Sequence, residues 1–248
     1  MQQYIFLISH RYKSGDPSGF TTYVESHGLK ASFVRYVGNR LHVLFKSAGT
    51  VILLTDHLTS YLSRFCAANK LRAAILPDIQ NPAIRVQLQV LGLLGKVMSK
   101  PWMDKFYANR DNKKNLEMEA PMKAAIAQLK TFVSNPSELL TCTHDVFGCP
   151  IEVDKVLDAL RREPKHSQFD EVAQKVFGST IEVLERQLKR YLEGDLSQPT
   201  DEMLDICSSA PLNNFHAERL LGRFSAQFAR APNATTGFLD GKTKVCKN

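Results

Sequence analysis

Apolar residues return at spacings of three and four along most of this chain, and that period belongs to helices rather than strands. Leu44, Ala48, Val51, Leu54, Leu58, Leu62 and Phe65 trace one helical stripe. Met122, Ile126, Leu129 and Val133 trace a second, stopped before Asn135-Pro136, because the residue before a proline is pushed out of helical backbone. Val172, Val176, Ile181, Leu184, Leu188 and Leu192 trace a third, with Glu182/Arg186 and Glu185/Lys189 as acid-first pairs four apart on its solvated face. Between the first two lies a different pattern. Ile84, Val86, Leu88, Val90, Leu91, Leu93, Leu94 and Val97 are apolar on every side, which predicts that Ile84–Met98 is a helix buried all round and the centre of the core. Asn81-Pro82 marks its start, with proline at the first helical position. Gly92 and Gly95 would let a neighbouring helix approach closely.

Shorter elements complete the reading. Phe20 to Glu25 predicts a helix closed at Gly28, Asp154 to Leu160 a short helix, and Pro199-Thr200-Asp201 a restart through Met203, Leu204 and Ile206. Pro232, Asn233 and Gly237 are expected to interrupt regular structure near the end. Tyr4 to Ile8 reads as a buried strand or a first helical turn, and strand-like runs elsewhere are few and short. The expected fold class is mainly α.

Composition changes this picture little. The chain has 248 residues, 44% hydrophobic and 23% charged, as in an ordinary folded protein with a sizeable core. Its net charge of +7 favours polyanionic partners, although 25 acidic residues interspersed with 32 basic ones dilute the field. Five widely spaced cysteines, with no C-x-x-C pair, make neither a disulfide framework nor a zinc finger. The apolar run at the start is too short for a signal sequence or a membrane span, so no membrane partner is expected.

Candidate chemistry is sparse. Cys142, His144, Asp145 and Cys149 are metal-ligand types in one short stretch, but they lack a second ligand pair, and a loop between helices is the better reading. Gly92-Leu93-Leu94-Gly95-Lys96 has neither the spacing nor the hydroxyl of a phosphate-binding loop. Pro101 to Tyr107 gathers the one tryptophan with Met103, Phe106 and Tyr107, either as a packing edge or as a base-stacking platform. Arg35, Arg40 and Lys46 beside Tyr36 could face phosphates, as could Lys242 and Lys244 in a basic tail; a solvated surface is the plainer role for both sets.

The C-terminal run from Ser208 to Asn248 holds an acid beside a base, Glu218-Arg219, followed by Leu220, Leu221 and Phe224 at helical spacing. This segment resembles the C-terminal block of hAT-type DNA transposases, in which such a Glu-Arg pair follows a large helical insertion and begins the last helix of an RNase H-like domain. The turn Arg35-Tyr36-x-Gly-Asn-Arg40 is similar to the block that precedes that insertion, and Lys100-Pro-Trp-Met-x-x-Phe-Tyr107 is similar to a block in transposon-derived animal proteins. The resemblance implies that Glu218 is a vestigial catalytic candidate. In the family, that glutamate and two aspartates hold two divalent cations at a DNA phosphodiester. The residue-level alternative is a carboxylate in a helix first turn, favoured there by the dipole.

The resemblance implies three regions: 1–57 as an N-terminal RNase H-like remnant, 58–205 as an insertion-like helical domain, and 206–248 as the C-terminal block. The fold expected is therefore a helical domain with remnants of an α/β domain at the two ends. Asp16 sits in a Gly/Pro loop and Asp56 inside a helical stripe, so neither matches the missing aspartates. The expected protein is accordingly a transposase descendant without catalysis of its own, intracellular, the nucleus being one candidate location. It needs no cofactor, since magnesium or manganese would bind only a completed site, and no metal ligand is assigned. Expected nucleic-acid contacts are Arg35, Arg40, Lys46, Arg219, Lys242 and Lys244. The alternatives are a noncatalytic module that binds a protein or a second copy through apolar helices, and an active strand transferase if upstream aspartates exist.

Overall fold

Asn81 and Pro82 open the helix on which the larger part of the molecule is built. In the computed structural model, which describes residues 17–29, 41–65, 70–107, 115–209 and 215–245, the Asn81 side chain accepts from Ala83 N at 2.9 Å and Pro82 takes the first position. Every regular element among the described residues is helical. They run α1 Pro17–Ser26, α2 Leu41–Leu53, α3 Thr55–Phe65, α4 Lys70–Gln80, α5 Pro82–Leu94, α6 Glu119–Ser134, α7 Lys155–Arg162, α8 Phe169–Gln187, α9 Lys189–Leu192, α10 Asp201–Ile206, α11 Phe215–Arg230 and α12 Thr236–Val245. The mainly α expectation therefore holds; the run Tyr4 to Ile8 lies outside the described residues. The chain divides into two units, Met1–Trp102 with Glu119–Gln198, and Met103–Met118 with Pro199–Asn248. The boundary drawn from the sequence at 57/58 falls inside α3.

In the first unit α5 is the buried axis. Val90 and Leu93 are wholly enclosed, with Val86, Leu88, Leu94, Val97 and Met98 close behind. Two members of the expected all-round stripe, Ile84 and Leu91, are only half-buried against the core, and a glutamine takes an enclosed position instead. Gln89 donates from Nε2 to Leu160 O at 2.8 Å and Glu163 O at 3.2 Å, closing the C-terminal end of α7. Arg85 next to it makes a two-pronged bond to Glu163, 2.7 Å on each arm. That bond to Glu163 raises the already high pKa of Arg85, against the opposing effect of burial.

Gly92 in α5 and Gly95 just past its end act as the spacing predicts. A Cβ on Gly92 would stand 3.0 Å from Gly49 Cα, 3.1 Å from Gly49 N and 2.6 Å from a methyl of Leu160; one on Gly95 would stand 3.1 Å from Phe45 Cβ and 3.3 Å from the Phe45 carbonyl. So α2 crosses α5 backbone to backbone, and α7 drops Leu160 and Val156 into the crossing. The stripe read as one long helix from Leu44 to Phe65 is two helices, α2 and α3, meeting at Leu54. Thr50 and Thr55 donate their hydroxyls back to Lys46 O and Val51 O, a bond that bends helices.

Past Leu94 the helix widens into a π turn, Gly95–Ser99, before Lys100–Trp102. Val97 O accepts from Val146 N at 2.9 Å, which fastens the loop after α6 to the axis. Trp102 rests near Phe147, ring centres 6.0 Å apart, as a packing edge.

Helices α6 and α8 pack through Ala125, Leu129 and Phe132 against Phe169, Ala173 and Phe177, all fully enclosed. Of the expected stripe, Ile181 and Leu184 are buried, while Val172 and Val176 are half-buried against the core and Phe169 and Phe177 take the enclosed places. Aromatic rings fill more of the inter-helix space than valines can, and Phe132 meets Phe177 edge-on at 6.0 Å. Glu185 is bonded to Lys130 of α6 at 2.8 Å rather than to Lys189, which opens α9 four residues on.

Helix α1 ends as expected at Gly28, whose φ of 73° suits a residue without Cβ. Leu29 N reaches Val24 O at 3.2 Å and Gly28 N reaches Glu25 O at 2.9 Å, the paired bonds of a Schellman cap.

In the second unit, Thr200 caps α10 by accepting from Met203 N at 3.3 Å, and α11 packs with α12. Gly237 does not interrupt structure there: it lies in the first turn of α12, after the break at Pro232-Asn233. The α12 N–H of Phe238 bonds to Thr235 Oγ1 at 3.3 Å, so a capping hydroxyl starts the helix despite the glycine.

Candidate functional site

Among the described residues, those singled out by sequence stand on several different helices. Glu218 stands in the first turn of α11 and is exposed, where the positive end of the helix favours a carboxylate without any metal. Asp56 occupies the corresponding first-turn position of α3 in the other unit, also exposed. Among the described residues no group of three His, Cys, Asp or Glu side chains converges as a cation site would need. Lys46 is exposed on α2, and Lys242 is exposed on α12. Arg219 lies on α11 and Lys244 on α12, while Arg35 and Arg40 lie outside the described residues.

The Cys142–Cys149 stretch is built as a turn. Asp145 is buried and accepts from Phe147 N at 2.8 Å and Cys149 N at 3.0 Å through one carboxylate oxygen. Asp145 N donates to Cys149 O at 2.8 Å, and His144 bridges Pro150. The carboxylate is thus the anchor of the loop. Burial pushes the Cys142 thiol above its usual range, with the Arg161 charge opposing, so it stays protonated at neutral pH. Arg161 donates to Cys142 O at 2.5 Å and holds the start of the loop to α7.

At the other end of the loop, Asp154 caps α7 by accepting from Leu157 N at 2.9 Å and pairs with Lys96 from the π turn. Burial alone would push its carboxyl up. The bonds from Lys96 and Leu157 N and the Lys96 charge together hold it below the usual carboxylate range.

Two surfaces were not legible as sites in the sequence. One is an open groove of about 430 Å³ between α6 and α8–α9, floored by Ile126, Ala127 and Leu192 and rimmed by Lys123, Lys130, Lys189, Glu185 and Glu193. Its rim charges are of both signs, and Lys130 is engaged by Glu185 and Lys123 by Glu119, which leaves the groove no preference for an anion. The other belongs to α11 and α12. Leu220, Arg223, Phe224 and Gln227, at helical spacing, are half-buried. On the adjoining strip Leu221 and Phe228, seven apart and so two turns along one face, are 67% and 49% exposed, and Phe238 of α12 is 61% exposed. Arg230 and Lys242 are also exposed on these two helices. Exposed large apolar side chains on two packed helices suit association with another macromolecule better than catalysis. The pattern signal was present in the sequence, since Leu221 and Phe228 lie beside the Leu220/Phe224 stripe, but a helix wheel cannot say which part of a wide apolar face is covered.

No described helix is long and apolar enough to cross a membrane. Comparison of the chain with protein-family models, with curated proteins and with solved structures finds no match.

Proposed function

We propose that the chain is a noncatalytic docking protein of hAT-type transposase descent, with remnants of an RNase H-like domain at its two ends, which associates with a protein surface through α11 and α12. The observation that carries this reading is the exposure of Leu221, Phe228 and Phe238 on α11 and α12, two helices that pack on each other. A second copy of the chain is the first occupant to test. Sedimentation velocity over a concentration series should give association in the parent and not in the Leu221→Ser, Phe228→Ser double variant. A parent that stays monomeric at every concentration removes self-association.

A second reading, nucleic-acid binding, is favoured by the +7 net charge and by the exposure of Lys46, Arg230 and Lys242. It predicts that affinity for duplex DNA falls linearly on a log–log plot as salt rises, with a slope set by the number of phosphates contacted. Salt-insensitive association, lost with Leu221 and Phe228, supports the protein reading instead.

The noncatalytic part has its own test. Glu218 should make no difference to metal binding, so magnesium or manganese should leave the thermal midpoints of the parent and of Glu218→Gln equally unchanged. A stabilisation at submillimolar metal seen only in the parent would place the chain among metal-dependent strand transferases.

A further inference from the structure

Where α1 meets α3, two histidines face each other. His27 follows the last turn of α1, at the residue before Gly28, and His57 stands in the first turn of α3. Their ring centres are 5.4 Å apart with the planes at 66°. Tyr23 covers His27 at 4.4 Å and lies 6.4 Å from His57, while Phe20 and Tyr61 extend the aromatic floor beneath.

Three features bear on what this pair can do. His27 Nδ1 is 2.7 Å from the Tyr23 carbonyl. A carbonyl only accepts, so Nδ1 carries a proton, and in the neutral ring Nε2 is then the nitrogen with the lone pair; this is the outer bond that orients metal-bound imidazoles. His57 is half-buried and makes no hydrogen bond or ion pair among the described residues, so its ring is uncommitted. The pair also lies at the C-terminal end of α1, which carries no basic residue in its last turn, and the negative end of the dipole there favours a cation.

The spacing fits one ion. With a Zn–N distance of about 2.1 Å and about 1.2 Å from a ring nitrogen to the ring centre, two imidazoles held at a tetrahedral angle have centres about 5.4 Å apart. Nitrogen donors select zinc-like ions over magnesium or calcium, which prefer oxygen. No third His, Cys, Asp or Glu joins the pair among the described residues, so solvent would complete the shell.

We propose that His27 and His57 form a two-imidazole site for a zinc-class divalent ion, bound through His27 Nε2 and one ring nitrogen of His57, and that the ion clasps α1 to α3. The site is independent of the C-terminal docking surface. Zinc alone is titrated calorimetrically into the full chain and into the His27→Gln, His57→Gln double variant, so that the thiols and the remaining histidines contribute equally to both. The parent is expected to take up one more zinc ion per chain than the double variant, to gain thermal midpoint with zinc where the variant does not, and to ignore magnesium. Equal zinc stoichiometry in the two proteins overturns the site. If circular dichroism shows the double variant unfolded, His27→Gln, whose ring is exposed, decides by the same stoichiometry.

Discussion

The crossing of α2 over α5 and the α11–α12 pair are made from similar residues, leucine, phenylalanine, alanine and glycine, yet they are opposites in what they do with them. At the crossing, glycine removes side chains so that two backbones meet and Leu160 and Val156 fill what remains. On α11 a Cβ added to Gly222 would meet nothing within 4 Å among the described residues, and Leu221 and Phe228 are exposed. Hydrophobicity is therefore a poor guide to purpose by itself. What separates the two regions is whether a neighbour arrives, and that neighbour comes from far along the chain.

The largest effect expected from breaking the contrast is at Gly92. Leucine there would be driven into the Gly49 backbone, which cannot move aside cheaply, as well as into the end of the Leu160 side chain, so Gly92→Leu should cost more than about 4 kcal/mol and remove the cooperative urea transition. The same change at Gly222 should leave the transition in place. Next in size is the difference between two neighbours on α5. Leu93→Ala, at a fully enclosed position, should cost about 3 kcal/mol, and Leu91→Ala, at a half-buried one, about half as much, compared by the same denaturation series.

A smaller effect depends on pH. The Asp154 carboxyl is held below its unfolded range, so the unfolded chain binds more protons in the acid window and stability rises with pH there. Its contribution is complete above the ordinary aspartate pKa of about 4 and is lost as pH falls through the lower folded value. Asp154→Asn should therefore flatten part of the acid limb of the stability curve and leave its slope near neutrality unchanged. The smallest effect belongs to the C-terminal pair. Leu221→Ser with Phe228→Ser should alter folding stability by no more than about 0.5 kcal/mol for each exposed site while changing association, the reverse of any core variant.

What the sequence made legible was local. Asn81-Pro82 announced the start of α5 and Gly28 the end of α1, because each acts through backbone geometry within a few residues; Gly92 announced a close approach without saying that Gly49 makes it. The inward stripe of α8 was legible in Ile181 and Leu184, but not the preference for Phe169/Phe177 over Val172/Val176 at its start, because both are apolar stripes on one helix and only the facing residues of α6 choose between them. The partner of Glu185 was misassigned for the same reason: Lys189 is four residues away, but Lys130 on α6 is the one bonded. The break at Leu54 went unseen because the apolar period continues across it. Of the candidate site, the ligand-type residues around Asp145 were visible, but their use as a turn anchor depends on which backbone N–H groups the carboxylate meets. The His27/His57 pair could not be read from spacing at all, since its members are thirty positions apart with the whole of α2 between them.

The π turn at Gly95–Ser99 fits one residue more into a helical revolution than an α-helix holds. Each residue advances an α-helix by about 100°, so the side chains beyond the turn are set on a different heading from the one α5 alone would give them. Trimming a single residue within this stretch would let the segment relax to an ordinary helix and swing Trp102 away from Phe147, while Val97 would no longer offer its carbonyl to Val146. The turn thus works as a spacer inserted in the thread of a screw. For this chain a deletion of one residue there should be harder to accommodate than most substitutions at the same positions.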